Sequence, residues 1–359
     1  MSKPAPSAGA VAAAFVLAAV LLALPTGGFA RASRAQAPTG RIAFLRWPAG
    51  AIDFSTGPSL YVMHADGSHL RRLTPKNTSV YAYAWSPDGK QIAYIDANTL
   101  SLWLTRPDRS GRRLLLGHSK LSSVGLSWSP DGTRIAIDSP GPNATLRTAG
   151  RDGMWLYLVP IDGGPPVRLP AGKHVGYSVA WSPRGDELAY SGDGGIFVIS
   201  PDGTGRRQIS LGGDVQWSAD GAQLAFPRAI KLRNGFTHRY RAFAVVKADG
   251  TGFHLVTTHA YTEGGVAWSP RGRRILYDRG DQQGIYVIGA DGRNNHRVTS
   301  DAPPEADWGA FAWSPDGGSI VYAAGGTDNT DLYRIGADGR GKLRLTDTPD
   351  VDISPSWAA

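Results

Sequence analysis

A tryptophan returns in nearly the same company every 36 to 53 residues, and this limits the chain more than any other feature. The segments Tyr83-Ala84-Trp85-Ser86-Pro87-Asp88-Gly89, Leu126-Ser127-Trp128-Ser129-Pro130-Asp131-Gly132 and Val179-Ala180-Trp181-Ser182-Pro183-Arg184-Gly185 are copies of one element, repeated around Trp217, Trp268 and Trp313. A shortened copy, Ser354-Pro355-Ser356-Trp357, stands near the C-terminus. Self-similarity at this period is the mark of a repeat architecture, and about 40–45 residues is the length of one four-stranded propeller blade.

Each copy is followed by a short apolar run: Ile92-Ala93-Tyr94, Ile135-Ala136-Ile137, Leu188-Ala189-Tyr190, Leu224-Ala225-Phe226, Ile275-Leu276-Tyr277 and Ile320-Val321-Tyr322. An unpaired run, Ile42-Ala43-Phe44, precedes the first tryptophan of the series. A third run such as Leu60-Tyr61-Val62-Met63 enters an Ala-Asp-Gly turn, and a fourth such as Leu70-Arg71-Arg72-Leu73-Thr74 completes the unit. Proline fixes φ near −65° and glycine tolerates positive φ, so Ser-Pro-Asp-Gly and Ala-Asp-Gly are tight-turn sequences. Apolar runs without alternation imply sheets buried on both faces, and the alanines of the second run let such sheets approach. The 46 glycines and 25 prolines suit many short strands, and no segment reads as a long amphipathic helix.

Counting sets the architecture. Six first strands lie inside the chain, the N-terminal part supplies a second, third and fourth strand without a first, and the C-terminal part supplies a first strand alone. The expected fold is therefore all-β, a seven-bladed propeller over 38–359. Ile353–Ala359 is expected to pair with the strand at Arg41–Leu45, removing the open edges a sheet otherwise leaves.

Residues 1–37 read differently. Lys3 precedes an Ala/Leu/Val run from Ala10 to Leu24, then Pro25 and small residues ending at Ala35-Gln36-Ala37. This is the pattern of a secretory signal peptide, and the run is short for a bilayer-spanning helix. Export is expected, to a periplasmic, cell-envelope or secreted location, with no transmembrane span in the mature chain. An uncleaved N-terminal membrane anchor is the alternative. The chain has no cysteine, so stability must come from packing rather than disulfides.

The Trp-Ser-Pro-Asp-Gly, Ile-Ala-Tyr, Tyr-Val-Met, Ala-Asp-Gly and Arg-Arg-Leu-Thr series resembles the WD40-like repeats of the TolB-like exported propellers, across residues 41–359. The resemblance implies a non-catalytic, monomeric scaffold or binding module. Its partner would be a protein or a small or carbohydrate ligand. TolB proper is a six-bladed propeller behind an N-terminal α/β domain, so a Tol–Pal partner is not carried over. Related propellers serve as gating domains of prolyl-oligopeptidase-like peptidases, which need a Gly-x-Ser-x-Gly elbow that this sequence lacks. Others are polysaccharide lyases, and a lyase site at the channel mouth is the alternative function.

Net charge is +8. Many of the cations, Arg71, Arg72, Arg112, Arg113, Arg168, Arg206, Arg207, Arg297 and Arg344, fall in expected fourth strands, where charge discourages edge-to-edge pairing. Nucleic acid is therefore not expected as a partner. The eight histidines show no ligand spacing, and no cofactor or catalytic residue is assigned. Asp214, Glu263, Asp307 and Asp352 precede successive first strands and are candidates for a Ca²⁺ site at the channel mouth, against the plainer reading of solvated or hydrogen-bonded loop carboxylates. Long connections are expected at Arg46–Ser59, Asp138–Met154 and Pro227–Arg241. The last carries Lys231, Arg233, Phe236, His238, Arg239 and Tyr240, a basic and aromatic mixture suited to an acidic or carbohydrate partner.

Overall fold

A computed structural model describes residues 39–50, 57–117, 125–140, 154–172, 175–231, 237–258, 265–279, 284–301, 311–326 and 329–359, with backbone alone at 140, 177, 229–231 and 237–241. Among these residues there are 28 strands and no helix.

The strands form five four-stranded antiparallel sheets and one eight-stranded sheet. Each four-stranded sheet is a single run of chain. The Trp85 sheet, for example, comprises Val80–Trp85, Ile92–Asp96, Ser101–Thr105 and Arg113–Leu116. The eight-stranded sheet is two such sets, joined by one parallel pair, Thr330 with Val351. One set is Phe311–Trp313, Ser319–Gly325, Thr330–Gly336 and Leu343–Arg344. In the other, the C-terminal strand Val351–Ala358 lies beside Arg41–Trp47, followed by Ser59–His64 and Arg71–Arg72. The two ends of the described chain thus share a sheet, in the register Ile42 with Trp357 and Ala43 with Ser356, as the repeat count required.

The sheets are buried on both faces because each packs against two others. Among the described residues, seven apolar clusters lie between consecutive four-strand sets, one of them between the two sets of the eight-stranded sheet. One joins Ala93, Ile95 and Leu102 of the Trp85 sheet to Trp128, Ile135 and Ile137 of the next. Another joins Ile42, Phe44 and Met63 to Val321, Ala323 and Leu332, and a third joins Ala43, Leu60 and Val62 to Val80, Ile92 and Tyr94. The second-run alanines Ala43, Ala93, Ala136, Ala189 and Ala225 are fully buried. The first strand of each sheet touches the first strand of the next, from Trp85 through Trp128, Trp181, Trp217, Trp268 and Trp313 to Trp357, and Val351–Ala358 in turn touches Val80–Trp85. Three indoles donate to the previous first strand: Trp128 Nε1 to the Ala84 carbonyl at 3.1 Å, Trp217 Nε1 to Ala180 at 3.0 Å and Trp313 Nε1 to Ala267 at 3.0 Å.

A second tie between sheets runs through the turn joining third and fourth strands. In five of these turns the residue before Asp or Asp-Gly uses its N–H within its own sheet. Ala248 donates to Ala222 at 3.0 Å, Ala290 to Arg273 at 3.1 Å and Ala337 to Gly318 at 2.9 Å, with Ala65 to Gly40 and Ile161 to Thr133 alike. The carbonyl of the same residue accepts from the preceding sheet: Ala248 from Arg207, Ala290 from His254, Ala337 from His296, Ala65 from Arg334 and Ile161 from Arg113. The equivalent residue in the other two turns is Pro107 or Pro201, which has no N–H to give.

The Ser-Pro-Asp-Gly turns close on themselves. Ser86 Oγ donates to Asp88 Oδ1 at 2.6 Å, the Lys90 N–H donates to the same oxygen at 3.0 Å, and Gly89, at φ 66°, donates its N–H to the Ser86 carbonyl. Hydroxyl and backbone N–H donors hold Asp66, Asp88, Asp108, Asp131, Asp220, Asp249 and Asp316 below the usual carboxylate range, and the Thr204 N–H and hydroxyl do so for Asp202. A carboxyl whose folded pKa is depressed contributes stability above its unfolded pKa of about 3.9 and loses it as pH falls through the folded value. Eight such groups titrate together, so the melting temperature is expected to hold from pH 7 to about 5 and to fall steeply below about pH 4. Calorimetry across pH 7 to 2.5 checks this, and a flat profile below pH 4 would show that these turns add nothing to stability.

Candidate functional site

Strand direction sorts the connections onto two edges. The Ser-Pro-Asp-Gly and Ala-Asp-Gly turns share one edge. The second-to-third connections and the entries to the first strands share the other, because successive antiparallel strands reverse direction. The sequence-derived site candidates among the described residues belong to that second edge.

Its best-defined feature is a charged network where the chain ends meet. Arg46, at the end of Arg41–Trp47, reaches Asp352 on the C-terminal strand through Nε at 2.5 Å and Nη2 at 2.7 Å, across 306 residues of sequence. Asp350 lies 3.6 Å from the same Nε and accepts the Ala49 N–H. The Arg46 guanidinium stands 4.9 Å from the Tyr61 ring centre and 5.4 Å from that of Phe44. Burial opposes its charge, but the Asp352 hydrogen bonds and the two carboxylates outweigh that and keep its pKa above the ordinary value. Beside it, the buried Asp331 accepts from Arg344 Nη2 at 2.5 Å and from Thr346 Oγ1 at 3.2 Å, and Arg344 also meets Asp347 at 2.9 Å. These are paired charges holding strands in place.

The expected cation site divides accordingly. Asp352 is fully buried and turned to Arg46, so its carboxylate serves the joint between the chain ends. Asp214 is exposed at the surface, yet the surrounding protein still desolvates its carboxyl and pushes its pKa up. Glu263 and Asp307 lie outside the described residues. Among the described residues no three His, Cys, Asp or Glu side chains come within reach of one ion.

The expected basic loop is largely strand. Gln223–Lys231 and Thr237–Lys247 stay paired through Arg228 with Ala242, Ile230 with His238 and Lys231 with Thr237, so Pro227–Arg241 is mostly an extended hairpin. Period-2 patterning is weak there, since Pro227 and the cations interrupt it, and cross-strand partners carried the ladder where side-chain pattern gave no signal. Lys231, His238, Arg239 and Tyr240 lie on its two strands, while Arg233 and Phe236 lie outside the described residues. The connection expected from Arg46 is likewise shorter, because the ladder runs to Arg46 with Ser59. That from Asp138 is trimmed by the pairing of Ser139 with Trp155 and Pro140 with Met154.

Sequence reasoning missed Arg46, which the adjacency of the chain ends brings to Asp352, and Asp331, whose partners are Arg344 and Thr346. It also missed Asp301, which accepts from Tyr322 Oη and Lys342 Nζ, both at 2.5 Å. Burial would raise the Asp301 carboxyl, but those donors hold it below the usual range, and desolvation together with Asp301 pushes the Tyr322 hydroxyl far up. Among the described histidine side chains, only His64 and His69 meet one another. His64 and His69 stack with ring centres 4.4 Å apart, His254 and His296 serve the turn carbonyls, and His118, His174 and His259 lie outside the described residues.

Comparison with known proteins adds a family. Residues 37–311 match the family described as the TolB beta propeller domain. An uncharacterised protein of Agrobacterium fabrum is 25% identical over 264 residues, covering 66% of this chain and 82% of that one. The Tol-Pal system protein TolB of Anaeromyxobacter dehalogenans is 35% identical over 95 residues, 25% of this chain and 20% of that protein, so the matched segment spans only a fifth of it. The crystal structure of TolB from Acinetobacter baumannii superposes with a TM-score of 0.55 at 17% identity, over 89% of this chain and 66% of that chain.

Proposed function

Because this chain belongs to the TolB β-propeller family, we propose that it is an exported, non-catalytic scaffold: seven blades closed in a ring that holds a protein partner on the edge bearing the second-to-third connections. The observation that supports the ring is the cyclic series of first-strand contacts, in which the C-terminal strand touches both Phe311–Trp313 and Val80–Trp85. Shared apolar clusters on both sides of the Ile42 set support it too. A ring whose every sheet is packed on two faces is rigid, and connections on one edge can vary without disturbing that core. Export rests on the signal pattern of residues 1–37.

The test is a crosslinking pull-down of the chain from the envelope of the cells that make it. A protein partner recovered in near-stoichiometric amount agrees with the scaffold reading. Turnover of an acidic polysaccharide by the purified protein, with no partner captured, would replace it with the lyase reading.

A further inference from the structure

The Trp217 sheet departs from its neighbours in one respect. Its second and third strands, Gln223–Lys231 and Thr237–Lys247, are nine and eleven residues long, whereas Leu188–Gly192 and Gly195–Ile199 in the preceding sheet are five each. The extra ladder, which shifts register between Arg228 and Ile230, makes this hairpin longer than that of the preceding sheet at about 3.3 Å per residue. Its base is fixed: Arg228 Nη1 donates to the Leu211 carbonyl at 2.5 Å, and its guanidinium stands 5.3 Å from the Phe253 ring centre.

Two independent features of this arm point to the same occupant. The first is backbone. The fourth strand, His254–Thr257, pairs only with Phe243, Ala244 and Val245. Among the described residues, therefore, no strand lies along the outer side of Thr237–Ala242, and a row of main-chain donors and acceptors there has no ladder partner. The opposite edge is the poorer template, because Pro227 interrupts it with a missing N–H. The second is charge. Between Asp220 and Asp249 the sequence holds six Lys or Arg and no Asp or Glu, and Arg228, Lys231, Arg239 and Arg241 fall on the two paired strands of the arm. Cations on an edge repel a second copy of the same edge and attract an acidic one.

We propose that the outer edge of Thr237–Ala242 receives an extended acidic segment of a protein partner as an added β-strand. Main-chain hydrogen bonds supply affinity and the cations of the arm select acidic sequence. This rests on the scaffold reading above and names the chemistry of the partner.

The test uses the full chain and fluorescent ten-residue peptides followed by anisotropy: (Glu-Thr)5, the same peptide with two threonines changed to proline, and (Lys-Thr)5. The (Glu-Thr)5 peptide is expected to bind at least tenfold more tightly than either of the others. A variant with residues 229–241 replaced by Asn-Gly joins the paired residues Arg228 and Ala242 through a two-residue hairpin turn. It should melt like the parent and bind (Glu-Thr)5 at least tenfold more weakly. Equal binding of the proline peptide would mean charge without strand addition and would overturn the proposal. So would undiminished binding by the shortened variant, or binding of heparin or anionic phospholipid vesicles in place of the acidic peptide. A partner captured from the envelope equally by parent and shortened variant sinks the arm and leaves the scaffold standing, whereas capture by neither sinks the scaffold.

Discussion

Deleting residues 352–359 is expected to leave a protein that is aggregation-prone, is cut rapidly by protease and has no sharp melting transition. The deleted residues pair with Arg41–Arg46 and pack Ile353 and Trp357 against two of the apolar clusters. Removing one large buried side chain costs about 2–5 kcal/mol. Here two partly buried side chains, each worth less than that, are lost together with a ladder of hydrogen bonds, against a total stability of about 5–15 kcal/mol. The strand Arg41–Trp47 then becomes an exposed edge whose Arg46 has lost Asp352 and keeps only Asp350 at 3.6 Å, a template for pairing with another molecule. Size-exclusion chromatography and limited proteolysis measure the outcome. A truncated protein that stays monomeric and melts with the parent would mean that the C-terminal strand is an ornament on a fold complete without it.

Asp352→Ala is expected to cost about 3–5 kcal/mol, because it strands the Arg46 guanidinium in a site where only 9% of the side chain meets water. Asp350, at 3.6 Å, compensates only in part. Asp352→Asn keeps the shape and loses the charge, so it should fall between. Replacing both partners, Arg46→Met with Asp352→Leu, should recover most of the loss, since a buried ion pair exchanged for apolar groups of similar volume is often neutral or better. Chemical denaturation of the four proteins reads the cycle. A double variant as unstable as Asp352→Ala would indicate that the network around Asp350 and Asp331, rather than the pair itself, is what the fold depends on.

The sheets and the register of the chain ends were legible because they follow from local chemistry repeated many times. Turn residues fix where strands end, and the three-strand set near the N-terminus has one complement, the single strand near the C-terminus. The site was much less so. Asp214 and Asp352 stand three and five residues before their tryptophans, each at the entry to a first strand, yet one is exposed and the other is sealed against Arg46, a distinction set by a residue 306 positions away that no local pattern contains. The arm at Gln223–Lys247 was concealed for a related reason. Pro227 and a run of cations read as a loop, while the ladder that makes it strand depends on cross-strand partners. The ties between sheets turn on whether one position per unit is alanine, isoleucine or proline, and their meaning appears only when the carbonyl is seen beside the neighbouring Arg or His.

The account depends on the two chain ends lying side by side in one sheet, and the absence of cysteine allows a clean test. Ala43 and Ser356 are cross-strand partners, and facing residues in an antiparallel pair have Cα atoms about 4.5–5.5 Å apart, within disulfide range. The double variant Ala43→Cys with Ser356→Cys, purified reduced and then oxidised at low concentration, should form an intramolecular bond nearly quantitatively. Denaturing electrophoresis without reductant reads this as faster migration, reversed by reductant. Thiols that stay free while the protein remains folded, or that crosslink only between molecules, would contradict the shared sheet and with it the ring.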